Sequence, residues 1–236
     1  RQILASGGAT IYVWYNKAGE SQPAAADTYG QYNAYDGDFI GVWPLIESGN
    51  GTAGEFKDRT SNQINGQGGS GTGSKVPTQE DGDVYKRQSF DGTDDHVDLN
   101  NSGANDFNFV QNSLVFTWEG LIGIDNLSSR ESIFRNTGTT AEKGFMLCWD
   151  TNAVVGYDAL RAMIVKGSSG TPVIDCRSPD GTTITDTNPH HVAFRGNGSG
   201  NSVLFYVDGV QKATTVSKAF SSLSTGGTTN DTLLGS

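Results

Sequence analysis

Long apolar runs are missing from these 236 residues. Stretches such as "TIYVWY" and "SVLFYV" fall far short of the ~20 residues needed to cross a bilayer as a helix, so no membrane span is expected. Cysteine is nearly absent, and Cys148 and Cys176 lack the close spacing of a metal-binding pair. Each sits in an apolar run, "FMLCWD" and "VIDC", which leaves buried thiols and a disulfide equally open. Charge is sparse at 18% of residues, and positive charge is sparser, with 16 Lys and Arg against 26 Asp and Glu for a net charge of -10. That balance argues against nucleic acid and against an anionic membrane surface as partners. No export-like leader is visible, and no Gly-x-Ser-x-Gly nucleophile turn occurs. The run "GTGSK" at 71–75 lacks the strand, the helix and the Gly-Lys-Ser/Thr order of a phosphate loop. The opening "RQILASGG" reads as cut from a longer protein.

What the chain has in quantity is Gly, 32 residues, with Ser, Thr, Asn and Asp between short apolar runs. This composition suits many short strands joined by turns rather than helices. Residues 10–15 alternate β-branched and aromatic side chains, a strand signal, and "FIGVWPLIES" (39–48) reads as a short buried strand. Residues 57–83, centred on "NGQGGSGTGSK", read as a linker or surface loop. From residue 84 onward strand-like runs recur at regular spacing: "VYKRQSF", "HVDL", "SLVFTWEGLIGI", "SIFRN", "GFMLCWD", "LRAMIVKG", "PVIDC", "HHVAFRG", "SVLFYVDG", "QKATTV" and "TLLGS". Turn residues separate them and no helical period intervenes. The fold class expected is all-β, an antiparallel two-sheet jelly-roll sandwich, with Asp208-Gly209 as the turn of its clearest hairpin.

"SFDGTDDHVDL" (89–99) has two readings. Asp91-Gly92 forms a turn between strands, with Gly92 at a positive-φ position. Alternatively, Asp91, Asp94 and Asp95 supply oxygen ligands for calcium, the one cofactor the sequence suggests. A hydrolytic carboxylate pair is not expected there, because one acid would have to be kept protonated by burial. His190 and His191 are neighbours on a strand and point to opposite faces, so they cannot chelate one ion together and read as structural. Trp149, at a strand end, and Tyr157, in the following loop, are the candidate sugar-stacking residues, while a core role for Trp149 stands beside that reading. Five Asn-x-Ser/Thr sequons, at Asn50, Asn100, Asn126, Asn197 and Asn230, fall in expected loops.

The ordered pieces "SFDGTDDHVDL", "FTWEGLIGID", "SIFRN" and "HHVAFRGNGSGNSVLFYVDGVQ" resemble laminin-G-like domains of the concanavalin-A-like jelly-roll superfamily, over roughly 39–236. Residues 1–38 resemble the tail of an uncharacterised β-rich domain that precedes such jelly rolls in bacterial surface proteins. The resemblance implies a strand beyond "TLLGS" that this chain lacks. The sequence is therefore expected to be either an incomplete piece or a subunit completed by strands from its neighbours, with 10–15 as the donor. Jelly-roll glucanases carry a Glu-x-Asp-x-(x)-Glu strand, whose spacing sets the acids on one face. Here Glu119, Glu131 and Glu142 each stand alone. The resemblance implies a non-enzymatic extracellular or cell-surface binding and adhesion module, bacterial in origin, for a glycan or a surface protein. The alternatives are a subunit of a fibre built of copies of itself and, more weakly, a polysaccharide hydrolase or lyase.

Overall fold

The computed structural model describes residues 19, 21, 23–28, 30–82, 85–99, 106–137, 144–152, 157–165, 172–181, 183–198, 202–218 and 231–235. Residues 10–15, and with them the expected donor strand, lie outside the described residues. The chain divides into two compact units, Arg1–Val42 with Arg59–Gln63, and Trp43–Asp58 with Ile64–Ser236. In the first unit a short 3-10 turn, Gln31–Asn33, is held by side chains. Asn33 Nδ2 donates to the carbonyls of Ala26 (3.2 Å) and Asp27 (2.8 Å), and Arg59 Nη1 donates to Gln31 Oε1 (3.0 Å).

Among the described residues the second unit carries fourteen strands: β1 (Gln67–Gly68), β2 (Thr78–Asp81), β3 (Lys86–Ser89), β4 (Val97–Asp98), β5 (Thr117–Ile122), β6 (Glu131–Arg135), β7 (Gly144–Asn152), β8 (Tyr157–Val165), β9 (Pro172–Arg177), β10 (His190–Asn197), β11 (Ser202–Val207), β12 (Val210–Lys212), β13 (Thr215–Lys218) and β14 (Leu233–Leu234). A single short helix, α1 (Asn108–Ser113), is the one α-helix among the described residues. Eight strands form one sheet, in the order β1-β4-β14-β6-β7-β8-β9-β13. Four form a second, β12-β11-β10-β5, and β2 and β3 pair as a separate hairpin. All pairings are antiparallel, so the expected all-β sandwich is the observed one. The "TLLGS" run supplies β14, an interior strand bonded to β4 on one side and β6 on the other.

Alternation builds the core. On β7, Phe145, Leu147 and Trp149 face inward; on β8, Leu160, Ala162 and Ile164; on β10 and β11, Val192, Phe194, Val203 and Phe205, all buried. Rings link the core: Trp118 reaches across the sheets to Phe134 at 6.4 Å, and within the sheets Trp118 lies 5.8 Å from Phe194 and Phe134 lies 5.0 Å from Phe145. Such contacts add to the area-driven gain because edge and offset arrangements suit the ring quadrupoles. In the β11–β12 hairpin Val207 pairs with Val210, and Asp208 (φ 51°) and Gly209 (φ 76°) take the two positive-φ positions of a type I′ turn.

Four expectations are corrected. Residues 39–48 are not a strand, because Pro44 offers no N–H and Leu45 turns back at φ 54°. Trp43 instead donates from Nε1 to the carbonyl of Ile64 at 2.7 Å. The glycine-rich stretch inside 57–83 is not a linker, since it contains β1 and closes tightly. A Cβ on Gly66 would stand 2.5 Å from Val97, and one on Gly68 would stand 2.6 Å from the Glu55 carboxylate. That carboxylate gathers the backbone N–H groups of Asn50, Gly51, Thr52 and Gly68 at 2.7 to 3.2 Å. The helix α1 was not expected at all. It is anchored through its side chains: Gln111 Nε2 donates to Asn108 Oδ1 (2.6 Å), and Asn136 Nδ2 donates to Gln111 Oε1 (3.2 Å). Finally, β2 lay in what read as loop; "TQED" has no apolar alternation because it pairs only with β3.

The cysteines are both free and buried. Cys148 lies opposite Arg161, and Arg161 opposite Arg177, so these three share the outer face of the large sheet. Cys176, next to Arg177, points the other way into the core. Opposite faces exclude a bond between them. Burial, then the Asp150 charge, pushes the Cys148 thiol up to about 12.

Candidate functional site: the acidic loop and its surroundings

Asp91 to Asp95 form the loop between β3 and β4. Asp91 Oδ1 accepts from the backbone N–H groups of Thr93 (2.8 Å), Asp94 (3.2 Å) and Asp95 (3.4 Å). This is an Asx-type turn closed by its own first residue, with Gly92 at φ 70°. The bond from Thr93, then that from Asp94, holds the Asp91 carboxyl below its ordinary range. Asp95 is turned inward, only 6% exposed, and its Oδ2 accepts from the Asp91 N–H at 3.0 Å. Burial, aided by the charges of Asp91 and Asp94, pushes the Asp95 carboxyl up. Asp94 faces Lys75 Nζ at 3.2 Å.

Both readings of the loop meet in this geometry. The turn is built by Asp91, and one ligand atom from each of Asp91, Asp94 and Asp95 lies within 4.8 Å of the others. One oxygen of each carboxylate is engaged by the contacts above. Three carboxylate oxygens make half of a calcium shell, whose six to eight positions are usually completed by carbonyls and water. The residues therefore fit calcium as a partial donor set. Glu131, at the start of β6, adds negative charge nearby: a Cβ on Gly92 would lie 3.7 Å from its carboxylate. Burial and the Asp125 charge push the Glu131 carboxyl up.

Beside the loop stands a hydrogen-bonded chain that the sequence did not signal. His96 Nδ1 lies 2.9 Å from the Asp94 carbonyl, and Nε2 lies 2.9 Å from Ser70 Oγ. Ser70 Oγ donates to Asp98 Oδ2 at 3.1 Å. Ser70 occupies the left-handed region (φ 48°, ψ 36°) between two positive-φ glycines, Gly69 and Gly71. Only the fold brings residues 70 and 96–98 together, through β1 and β4.

Of the two proposed stacking residues, Trp149 presents no ring here. Trp149 is 0% exposed. It packs in the core and donates from Nε1 to the Leu127 carbonyl at 3.2 Å. Its position on β7 places it on the inward face with Phe145 and Leu147, so the stacking reading gives way to the core one. Tyr157 begins β8 opposite Asn152, and its side chain lies outside the described residues. Of the glutamates, Glu119 is exposed on β5 in the small sheet and Glu131 is in the large one; Glu142 lies outside the described residues.

His190 and His191 point apart, as strand geometry requires. His190 Nδ1 lies 2.8 Å from Asp208 Oδ2 and Nε2 lies 3.2 Å from Asp186 Oδ1, clipping the β11–β12 turn to the start of β10. The bond to Asp208, against a smaller opposing effect of burial, pushes the His190 imidazole up. A raised folded value means this clip stabilises fully below the unfolded value of about 6.5 and is lost as pH rises through the folded value. The melting-temperature gap between the protein and His190→Gln is therefore expected to be widest near pH 5.5 and to narrow as the pH rises through the raised folded value. A gap that stays constant, or widens with pH, would contradict the clip.

No protein-family model matches the sequence, and no curated relative is found for it. Among solved structures the chain is similar to the Ruminococcus gnavus IT-sialidase CBM40, at 17% identity and a TM-score of 0.38, over 55% of this chain and 67% of that one. The same module bound to alpha2,3 sialyllactose gives 17% identity and a TM-score of 0.39 over the same shares, 55% and 67%. The carbohydrate binding module CBM66 from Bacillus subtilis gives 15% identity and a TM-score of 0.32, over 67% of this chain and 88% of that one. Among the described residues no helix is long and apolar enough to cross a membrane.

Proposed function

We propose that the chain is a non-enzymatic binding module of an extracellular surface protein, taking a glycan or a protein ligand beside a calcium-holding loop. The observation that carries this reading is the convergence of Asp91, Asp94 and Asp95, one ligand atom from each within 4.8 Å of the others, on a turn fixed by backbone bonds where β3 of the hairpin leads into β4 of the large sheet. Loops on such a scaffold are where recognition is placed, because the sheets hold them without contributing to specificity. Calcium would be held by these three carboxylates. It supplies charge neutralisation that lets the acidic loop keep one shape, and it offers open positions to sugar hydroxyls or to a partner's carboxylate. Glu119 and Glu131 lie on different sheets, so the two do not form together the facing pair of carboxyl groups that hydrolysis needs.

Two measurements test this. Calcium that binds only the folded chain raises its stability by about 2.7 kcal/mol at a hundredfold excess over Kd. The melting temperature is thus expected to rise by several degrees in millimolar calcium and to fall back on chelation. The double change Asp94→Asn, Asp95→Asn should abolish that rise while sparing the Asp91 turn. A melting curve indifferent to calcium and chelator removes the metal from the proposal. A glycan array run with and without calcium tests the ligand class; no signal in either condition leaves a protein ligand.

A further inference from the structure

In a chain whose net charge is -10, the outer face of the large sheet gathers cations. Arg130, Arg161 and Arg177 surround just two carboxylates there, those of Asp150 and Asp175. Among these five side chains three positive charges meet two negative ones. The donors show where the surplus can be reached. Arg161 has a side chain only 12% exposed, and its Nε, Nη1 and Nη2 each donate to one of the two carboxylates. Arg130 is different, with 44% of its side chain exposed. Its Nε donates to Asp150 Oδ1 at 2.6 Å. No bond from either of its Nη groups is seen among the described residues.

That two-pronged end is held in place from both sides. Asp150 is buried, and its second oxygen accepts from Arg161 Nη1 at 2.7 Å, so the carboxylate cannot turn to follow Arg130. The backbone leading to Arg130 is fixed as well. Asn126 Nδ2 donates to Ser129 Oγ (2.7 Å), the Ser128 N–H donates to Asn126 Oδ1 (2.9 Å), and the core indole of Trp149 donates to the Leu127 carbonyl. A guanidinium pinned through Nε keeps its remaining donors in one plane as a rigid fork. Arg130 also adjoins the acidic loop, because Glu131, the next residue, brings its carboxylate beside Gly92.

We propose that the Arg130 fork is the subsite for the carboxylate of an acidic glycan and selects charged sugars over neutral ones. The inference rests on the glycan reading above and narrows it. A carboxylate presents two oxygens in one plane and takes both Nη donors at once, in two parallel charge-assisted bonds. A neutral hydroxyl takes one donor and leaves the surplus charge unanswered. The protein's own carboxylates cannot take the same place, since both oxygens of Asp150 are engaged already. The net negative field of the chain repels an anion at a distance. Selection therefore depends on the fork at short range and not on general attraction.

A glycan array decides this, with carboxylated oligosaccharides each printed beside a counterpart whose carboxyls are reduced to alcohols. The full chain should bind the acid forms at least tenfold more tightly than the reduced ones. Arg130→Lys keeps a cation beside Asp150 but removes the fork, and should lose roughly tenfold on the acid forms. Arg130→Gln should bring the acid forms down to the level of the reduced ones. Arg161 still pairs with Asp150 in both variants, and their melting curves confine the comparison to folded protein. Binding of reduced and acid forms alike overturns the subsite and leaves the glycan reading standing. Acid binding that survives Arg130→Gln, or that Arg130→Lys carries in full, overturns it too. Silence on every glycan ends both the subsite and the glycan reading.

Discussion

Arg161→Ala is expected to lower the unfolding free energy by about 3 to 5 kcal/mol, measured by urea denaturation at neutral pH. On the outer face of the large sheet Arg161 Nε and Nη2 each donate to Asp175 at 2.9 Å, and Nη1 donates to Asp150 at 2.7 Å. Arg130 completes Asp150 at 2.6 Å, and Arg177 stands 3.5 Å from Asp175. Asp150 is 1% exposed and Asp175 7%. Burial acts to push the Arg161 guanidinium down, but the Asp175 bonds and then the Asp150 charge hold it above its ordinary value. Removing one partner of a buried ion pair leaves the others desolvated and uncompensated, which is why the loss exceeds that of a surface pair several-fold. A loss below about 1 kcal/mol would show that water reaches this ladder freely.

Trp149→Ala is expected to cost a similar amount, about 3 to 5 kcal/mol, or roughly 6 to 20 °C in melting temperature for a chain of this size. The indole is wholly buried between the sheets, and its N–H is satisfied by the Leu127 carbonyl. Truncation removes its packing, leaves a cavity and strands that carbonyl. Because no part of the ring is exposed, ligand binding by the folded fraction, measured well below the new melting temperature, should not change. Lost binding at full folding would instead return Trp149 to the site.

The regular beat of apolar and polar residues in "SVLFYV" and "GFMLCWD" could be read directly, because a strand between core and solvent imposes a period of two on its own sequence. The Asp208-Gly209 turn was equally plain, since few residues tolerate two successive positive-φ positions. The acidic loop was legible for the same local reason: its turn former and its candidate ligands lie within five residues of one another, from Asp91 to Asp95. By contrast, 39–48 is apolar enough to suggest a strand, and within it only Pro44 speaks against one. The glycines at 66–69 looked like a linker because a short sequence window cannot show what presses against them. Trp149 was assigned to a strand end, whereas β7 continues to Asn152 and carries it into the core.

By itself, then, the sequence determined the all-β class, most strand positions, the hairpin and the acidic loop, because each depends on residues that are neighbours along the chain. The tertiary structure alone decided what depends on partners distant in sequence. It set Cys148 and Cys176 on opposite faces of one sheet. It brought Ser70 to His96 and Asp98, gathered Arg130, Arg161 and Arg177 around the buried carboxylates of Asp150 and Asp175, and left β5 at an edge. Strand order fixes all of these, and strand order is chosen by the packing of the whole core rather than by any local pattern.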